Sequence, residues 1–281
     1  MLYHYTDFTA FDGIIRCAEL RLNNILNMND ASEMRLFMNG ICKAVIARLK
    51  SNGESPARLR EAENFFRAEM EKEFYYSAYA ACFSKFRDDA SQWERYGHYG
   101  QGVCIAFHED MMEKMTGGAI SLQEVYYQED MGEHRLVEDF FRTFTASEEL
   151  SENLPKLQNL MIEAWIQSAA FKHPSFASEK ESRLVVSPFI SNEFAVEPKY
   201  HVSDGRIKKY YPLNLNRMCS RLNLHLSDLV AEIIIGPTSS QSLPILRTTY
   251  RTVDLTSSRR KSTCPTVRCG NRHRKLMFLT L

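Results

Sequence analysis

The chain has 281 residues, of which 44% are hydrophobic and 25% charged. That is enough apolar material for a substantial core and excludes an intrinsically disordered protein. Its formal net charge is zero, so the molecule as a whole offers no general attraction to nucleic acid or to an anionic membrane.

Leu2 to Thr6 alternates aromatic and polar residues as a short strand does, and Phe8, Phe11, Ile14 and Ile15 then take up helical spacing. Leu20-Arg21-Leu22 reads as a second short strand, followed by a polar loop to Asn29. The spacing of Met34, Phe37, Met38, Ile41, Val45, Ile46 and Leu49 predicts a long amphipathic helix. Ser55-Pro56 is an N-cap and first-turn pair that opens another helix to about Tyr75, and this helical pair is expected to cover one face of a sheet.

Strands are expected over Ala80 to Ser84 and Val103 to Phe107, separated by the polar and aromatic stretch Lys85 to Gly102, a candidate binding loop. Val125 to Tyr127 reads as a short strand, Glu133 to Thr145 and Leu154 to Lys172 as helices, and Arg183 to Ile190, Ile207 to Leu213 and Val230 to Ile235 as strands. Elements mixed this irregularly predict an α+β fold, a mixed central sheet with helices around it, rather than a regular βαβ wind.

Residues 1–255 are expected to form a single domain and residues 256–281 a flexible or loosely docked tail. After Leu255 the chain carries Arg259, Arg260, Lys261, Arg268, Arg272, Arg274 and Lys275 and no acid, so the body before it is net acidic. Any polyanion contact would start at this tail.

No uninterrupted apolar run reaches the roughly 18 to 20 residues of a bilayer span, and the N-terminus lacks the order of a signal peptide, so a cytoplasmic protein is expected with no membrane partner. The seven cysteines are scattered and odd in number, the pattern of reduced thiols. Cys264, Cys269 and His273 fit no standard zinc-finger spacing, and no metal is expected.

Several residues can carry chemistry. His4 and Thr6 lie one strand repeat apart and share a face, offering a ring nitrogen and a hydroxyl, although a lone histidine is more often structural. Asp30 and Glu33 have the spacing of a helix cap and its reciprocal acid, which is the favoured role for both. In Ser91 to Gly97, Trp93 and Tyr96 offer a stacking surface or, at even odds, a packing anchor.

Glu179 and Glu181 are two apart, so on an extended chain their carboxylates face the same side, with Arg183 continuing the row. The bland reading is a solvated edge. Against it, the strand continues as Leu184-Val185-Val186, which is core-like. Phosphate-loop, dinucleotide-fold and standard hydrolase motifs are absent.

Taken in order, Leu2 to Thr6, Asn27-Met28-Asn29-Asp30 with Glu33, Cys82-Phe83-Ser84, Ser91-Gln92-Trp93 with Tyr96-Gly97, Gly100 to Phe107, Glu179 to Leu184 and Ile233 to Pro237 resemble the bacterial family called domain of unknown function 2971. The resemblance covers roughly residues 1 to 255. The opening also resembles the His-containing first strand of ADP-ribosyltransferases, including those acting on nucleic acid, and the late Glu-x-Glu resembles their catalytic acid segment.

The likeness implies a split sheet and an NAD-consuming enzyme, suited to a toxin or phage-defence effector. His4 and Thr6 would hold NAD through a ribose, Tyr96 or Trp93 would stack on nicotinamide, and Glu181, or Glu179, would be the catalytic carboxylate. The acceptor, protein or nucleic acid, is not implied. The rival expectations are a non-catalytic binding or regulatory module using residues 85–102, and a nucleic-acid-processing protein using the basic tail.

Overall fold

The computed structural model describes residues 1–27, 31–72, 78–128, 130–147, 149–187, 197–203, 205–242, 244–246 and 266–269. The first strand, β1 (Leu2–Thr6), runs into helix α1 (Phe8–Arg16) through Asp7, whose carboxylate accepts the Ala10 N–H at 2.7 Å. This cap satisfies one of the amides that every helix start leaves unpaired.

Strand β2 (Glu19–Asn24) follows, then helices α2 (Ala31–Ser51) and α3 (Pro56–Met70), the latter capped by Ser55. Helix α3 stops at Met70, short of the expected Tyr75, where the apolar spacing that binds it to the core gives way to Glu71 and Lys72. The proposed Asp30 and Glu33 cap lies outside the described side chains.

Strands β3 (Tyr79–Ser84) and β4 (Val103–Phe107) flank a connection that is folded rather than irregular, because helix α4 (Ala90–Arg95) occupies its middle. The short helix α5 (Glu109–Lys114), strands β5 (Ile120–Glu124) and β6 (Tyr126–Tyr127) and helices α6 (Arg135–Thr145) and α7 (Leu150–Ser168) come next. Phe171–Lys172, expected at the end of a helix, instead forms strand β7, which pairs in parallel with β6.

A 3-10 turn, Pro174–Glu179, leads into β8 (Glu181–Val186). Strands β9 (Lys199–Ser203) and β10 (Arg206–Asn214), helices α8 (Leu215–Arg221) and α9 (Leu226–Leu229), and β11 (Val230–Ile235) follow. Within the segment expected as a tail, Thr266–Cys269 forms β12 and pairs in parallel with β11.

The main sheet runs β12-β11-β4-β1-β3-β2-β10-β9, with β8 on the other edge of β3 and β5 beyond it. All its pairings are antiparallel except β11 with β12. The α+β expectation holds, with a large, mainly antiparallel sheet and helices around it.

One feature of the topology positions the site. Strand β8 pairs with β3 along its whole length, from Tyr79 to Ser84, whereas the opposite edge of β3 is shared. There β2 pairs only with Tyr79 and Ala80, and β1 only with Ser84. Between them Ala81, Cys82 and Phe83 lie in neither ladder, and the sheet forks.

Both faces are covered. On one, Leu2, Phe83, Ile105, Leu184 and Val186 pack with Phe11 and Ile15 of α1 and with Leu215 and Leu229. On the other, α2, α3, α6 and α7 cover Ala80 and Val185, as expected for α2 and α3, while Trp93 covers Tyr5, Cys104 and Ile234.

Gly102 fixes how tightly the α4 segment sits on β1. A Cβ there would lie 2.2 Å from the Thr6 carbonyl oxygen and 2.9 Å from that of Gly97. We expect Gly102→Ala to destabilise the protein by about 1–3 kcal/mol through this backbone clash. Gly13→Ala in α1, where a Cβ meets nothing within 4 Å, should instead be neutral or stabilising by up to about 1 kcal/mol. Denaturant midpoints of the two variants check the pair.

Candidate active site

A cavity of about 510 Å³ opens at the fork. It is lined by Tyr3 to Thr6 from β1 and by Asp7 after it, by Glu19, Leu20, Arg21 and Asn23 from β2, and by Ala80 to Ser84 from β3, and it is closed by Gln92, Tyr96, Glu179, Glu181, His201 and Val202. Strand alternation places His4 and Thr6 on the face of Leu2, and Glu181 on the opposite face with Val185. The gap in the ladder lets residues from both faces reach one space.

His4 bridges the fork. Its Nδ1 lies 2.8 Å from the Cys82 carbonyl oxygen, and its ring packs on Phe83 with centroids 5.5 Å apart. Burial pushes its pKa down, and the bond to the Cys82 carbonyl offsets this only in part. The ring is therefore neutral at physiological pH, with Nδ1–H donating to the carbonyl and Nε2 an acceptor that takes no hydrogen bond among the described residues.

The two acids are held by buried cations. Lys172 Nζ lies 2.5 Å from Glu179 Oε2 and 2.8 Å from Glu181 Oε2. Arg183 grips Glu181 with Nε at 2.8 Å and Nη2 at 3.2 Å, and donates through Nη1 to the Ala169 carbonyl. Arg95 reaches Glu179 Oε1 at 2.6 Å from α4.

The carboxylates do face one side, but not along an extended strand. Glu179 ends the 3-10 turn, Lys180 takes a left-handed conformation with φ 44°, and only Glu181 is in β8. Burial by itself would raise the Glu181 pKa; the Arg183 guanidinium outweighs it, with help from Lys172 and the Cys82 thiol, and takes it down to about 2. Cys82 thus meets both halves of the site, His4 through its carbonyl and Glu181 through its thiol.

Of the residues singled out in the sequence, His4, Thr6, Tyr96, Glu179 and Glu181 line this cavity. The Tyr96 ring is half exposed, with its hydroxyl 3.5 Å from Glu179 Oε1. Burial raises the pKa of that hydroxyl, with Glu179 and Glu181 adding to the effect against Lys172.

Trp93 does not line the cavity, which corrects its expected role as a stacking surface there. Its ring is buried edge-on to Tyr5 at 4.9 Å, Nε1 donates to Asp88 at 2.8 Å, and Gly97 is bare because a Cβ would lie 2.4 Å from the indole. Helix α4 ends at Arg95 and Tyr96 caps it outside helical geometry, so the two aromatics do not share a helical face. Trp93 is the packing anchor that frees Tyr96 to turn inward.

The sequence assigns no site role to Lys172, Cys82, Arg21 or His201, although Cys82 lies in the Cys82-Phe83-Ser84 segment and Arg21 in the expected second strand. A lysine within an apolar helical pattern carries no signal of its own, and β9, which brings His201, alternates only over the five residues Lys199–Ser203, with Tyr200 and Val202 exposed rather than in a core. Cys264 and His273 lie outside the described residues.

The depressed Glu181 pKa has a signed consequence. Its contribution to stability is complete above the ordinary value of 4.5 and is lost as pH falls from there through about 2. Glu181→Gln should cost about 3–5 kcal/mol near neutrality, because it strands the buried Arg183 charge. It should also flatten the acid limb of a stability curve recorded from pH 6 to 2.

The sequence model of a family described as protein of unknown function, DUF2971, matches residues 92–184. The match runs from α4 into β8 and takes in Tyr96, Glu179 and Glu181, while β1 with His4 lies before it. No curated protein and no solved structure matches the chain. Over residues 92–184, about a third of its length, which supply the acids and the tyrosine of the cavity, the chain is similar to the DUF2971 family.

Proposed function

We propose that the cavity is the active site of an NAD-consuming enzyme of ADP-ribosyltransferase type. One observation carries the reading: residues from four separate stretches of chain, represented by His4 and Thr6, Cys82, Tyr96, and Glu179 with Glu181, line a single space. Its volume lies within the range of roughly 300–1,000 Å³ usual for small-molecule sites.

In this reading NAD is the substrate. The Nε2 of His4 accepts a hydrogen bond from a ribose hydroxyl, Thr6 offers a second polar contact, and Tyr96 stacks on the nicotinamide ring. The bond between ribose C1′ and the nicotinamide nitrogen breaks, its electron pair neutralises the ring nitrogen, and positive charge develops on the ribose.

Glu181 suits that step because its carboxylate is already ionised and held in place, so no reorganisation is needed as the charge appears. Its low pKa makes it a fixed charge and ribose-hydroxyl acceptor rather than a general base. Glu179 extends the negative field. The acceptor, a protein or nucleic-acid nucleophile, then bonds to C1′ and loses its proton, chemistry suited to a toxin or phage-defence effector.

A second reading rests on a specific observation: both Glu181 oxygens are already engaged by Arg183 and Lys172. The acids would then be structural and the chain a binding module.

Purified protein incubated with NAD and cell lysate should release nicotinamide. His4→Asn keeps a donor near the Cys82 carbonyl but removes the Nε2 acceptor, so it should fold and yet lose about 100-fold or more in kcat/KM, as should Tyr96→Ala. Wild-type activity unchanged in His4→Asn and in Glu181→Gln sinks the enzymatic assignment. Calorimetry with no NAD binding, alongside co-purification of a protein partner, favours the binding module.

A further inference from the structure

The cavity has two ends of opposite character. At one, Glu179 and Glu181 present carboxylates; at the other, β2 and β9 present Arg21, Asn23 and His201, with Glu19 beside Arg21. Arg21 rests its guanidinium on the Tyr210 ring, 5.1 Å from the centroid. This contact fixes the plane of the group while leaving its edge free.

The neighbouring acid does not saturate it. Glu19 Oε1 is 3.6 Å from Arg21 Nε, beyond hydrogen-bond length, and Glu19 Oε2 is taken by Lys199 at 2.9 Å. Among the described residues the terminal nitrogens of Arg21 carry no hydrogen bond.

His201 packs edge-on against Tyr210 at 5.3 Å, opposite Lys208 in the β9–β10 register, and its buried Nδ1 has no hydrogen-bond partner among the described residues. Burial together with the facing cations Arg21 and Lys208 pushes its pKa down, so this wall is already positive before the histidine is protonated. Glu19 is shared between two cations, Lys199 at 2.9 Å and Arg21 at 3.6 Å.

We propose that Arg21, with His201 beside it, forms an anion subsite that takes the diphosphate of a dinucleotide and so fixes its direction in the cavity. The inference rests on the NAD reading for the identity of the whole ligand, but the subsite itself requires only a diphosphate. A ligand with a cationic ring and a diphosphate matches the polarity of the cavity, its ring toward Glu179 and Glu181 and its diphosphate toward Arg21. The free fork of the guanidinium suits two phosphate oxygens.

Isothermal titration of the full chain and of Arg21→Gln with NAD, ADP-ribose, nicotinamide riboside and inorganic pyrophosphate tests this. Arg21→Gln should weaken NAD, ADP-ribose and pyrophosphate at least about tenfold, the loss of one charge-assisted contact. Nicotinamide riboside, which has no phosphate, should bind both proteins alike. In turnover the substitution should raise KM for NAD and leave kcat nearly unchanged.

The subsite is overturned if Arg21→Gln binds the phosphate-bearing ligands as tightly as wild type does, if it weakens nicotinamide riboside equally, or if wild type binds no phosphate-bearing ligand. Arg21-dependent binding of pyrophosphate with no binding of NAD or nicotinamide riboside would keep the subsite and remove the NAD reading.

Discussion

The site depends on the forked edge of β3. Because β1 and β2 take opposite ends of one strand edge, the backbone at Ala81 to Phe83 is left out of the ladder, and its polar groups need other partners. His4 Nδ1 meets the Cys82 carbonyl at 2.8 Å and closes the gap without closing the space. That hydrogen bond also determines which ring nitrogen carries the proton, so a topological constraint becomes a chemical one.

The acids are governed by a second constraint, burial with compensation. Glu179, Glu181, Lys172 and Arg183 are all nearly inaccessible to water. Charges in such a place survive only when paired and hydrogen-bonded. The arrangement holds Glu181 ionised far below neutrality and fixes it on β8, opposite Ser84 of β3. A preorganised carboxylate suits the stabilisation of a transient cation, whereas one that must exchange protons near pH 7 would sit differently.

Much of the scaffold was legible in the sequence because it rests on local periodicity. The apolar spacing of α2, the Ser55-Pro56 cap of α3 and the apolar runs of β4 and β11 all carry their own signal. What was not legible depends on distant partners. Phe171–Lys172 continues a helical pattern but pairs with β6, and Lys172 is buried at the price of two carboxylates that no local pattern reveals. Trp93 and Tyr96 looked alike in sequence, and only the end of α4 at Arg95 separates the buried anchor from the cavity residue. The residues 266–269 expected in a loose tail became a strand because β11 offers an edge.

The most direct test of the NAD assignment is a crystal structure of the protein with a non-hydrolysable NAD analogue. The account predicts the nicotinamide ring against Tyr96, a ribose hydroxyl within hydrogen-bond reach of His4 Nε2, and the ribose beside Glu181. An analogue seated away from the fork, or a ribose turned away from both His4 and Glu181, would contradict it.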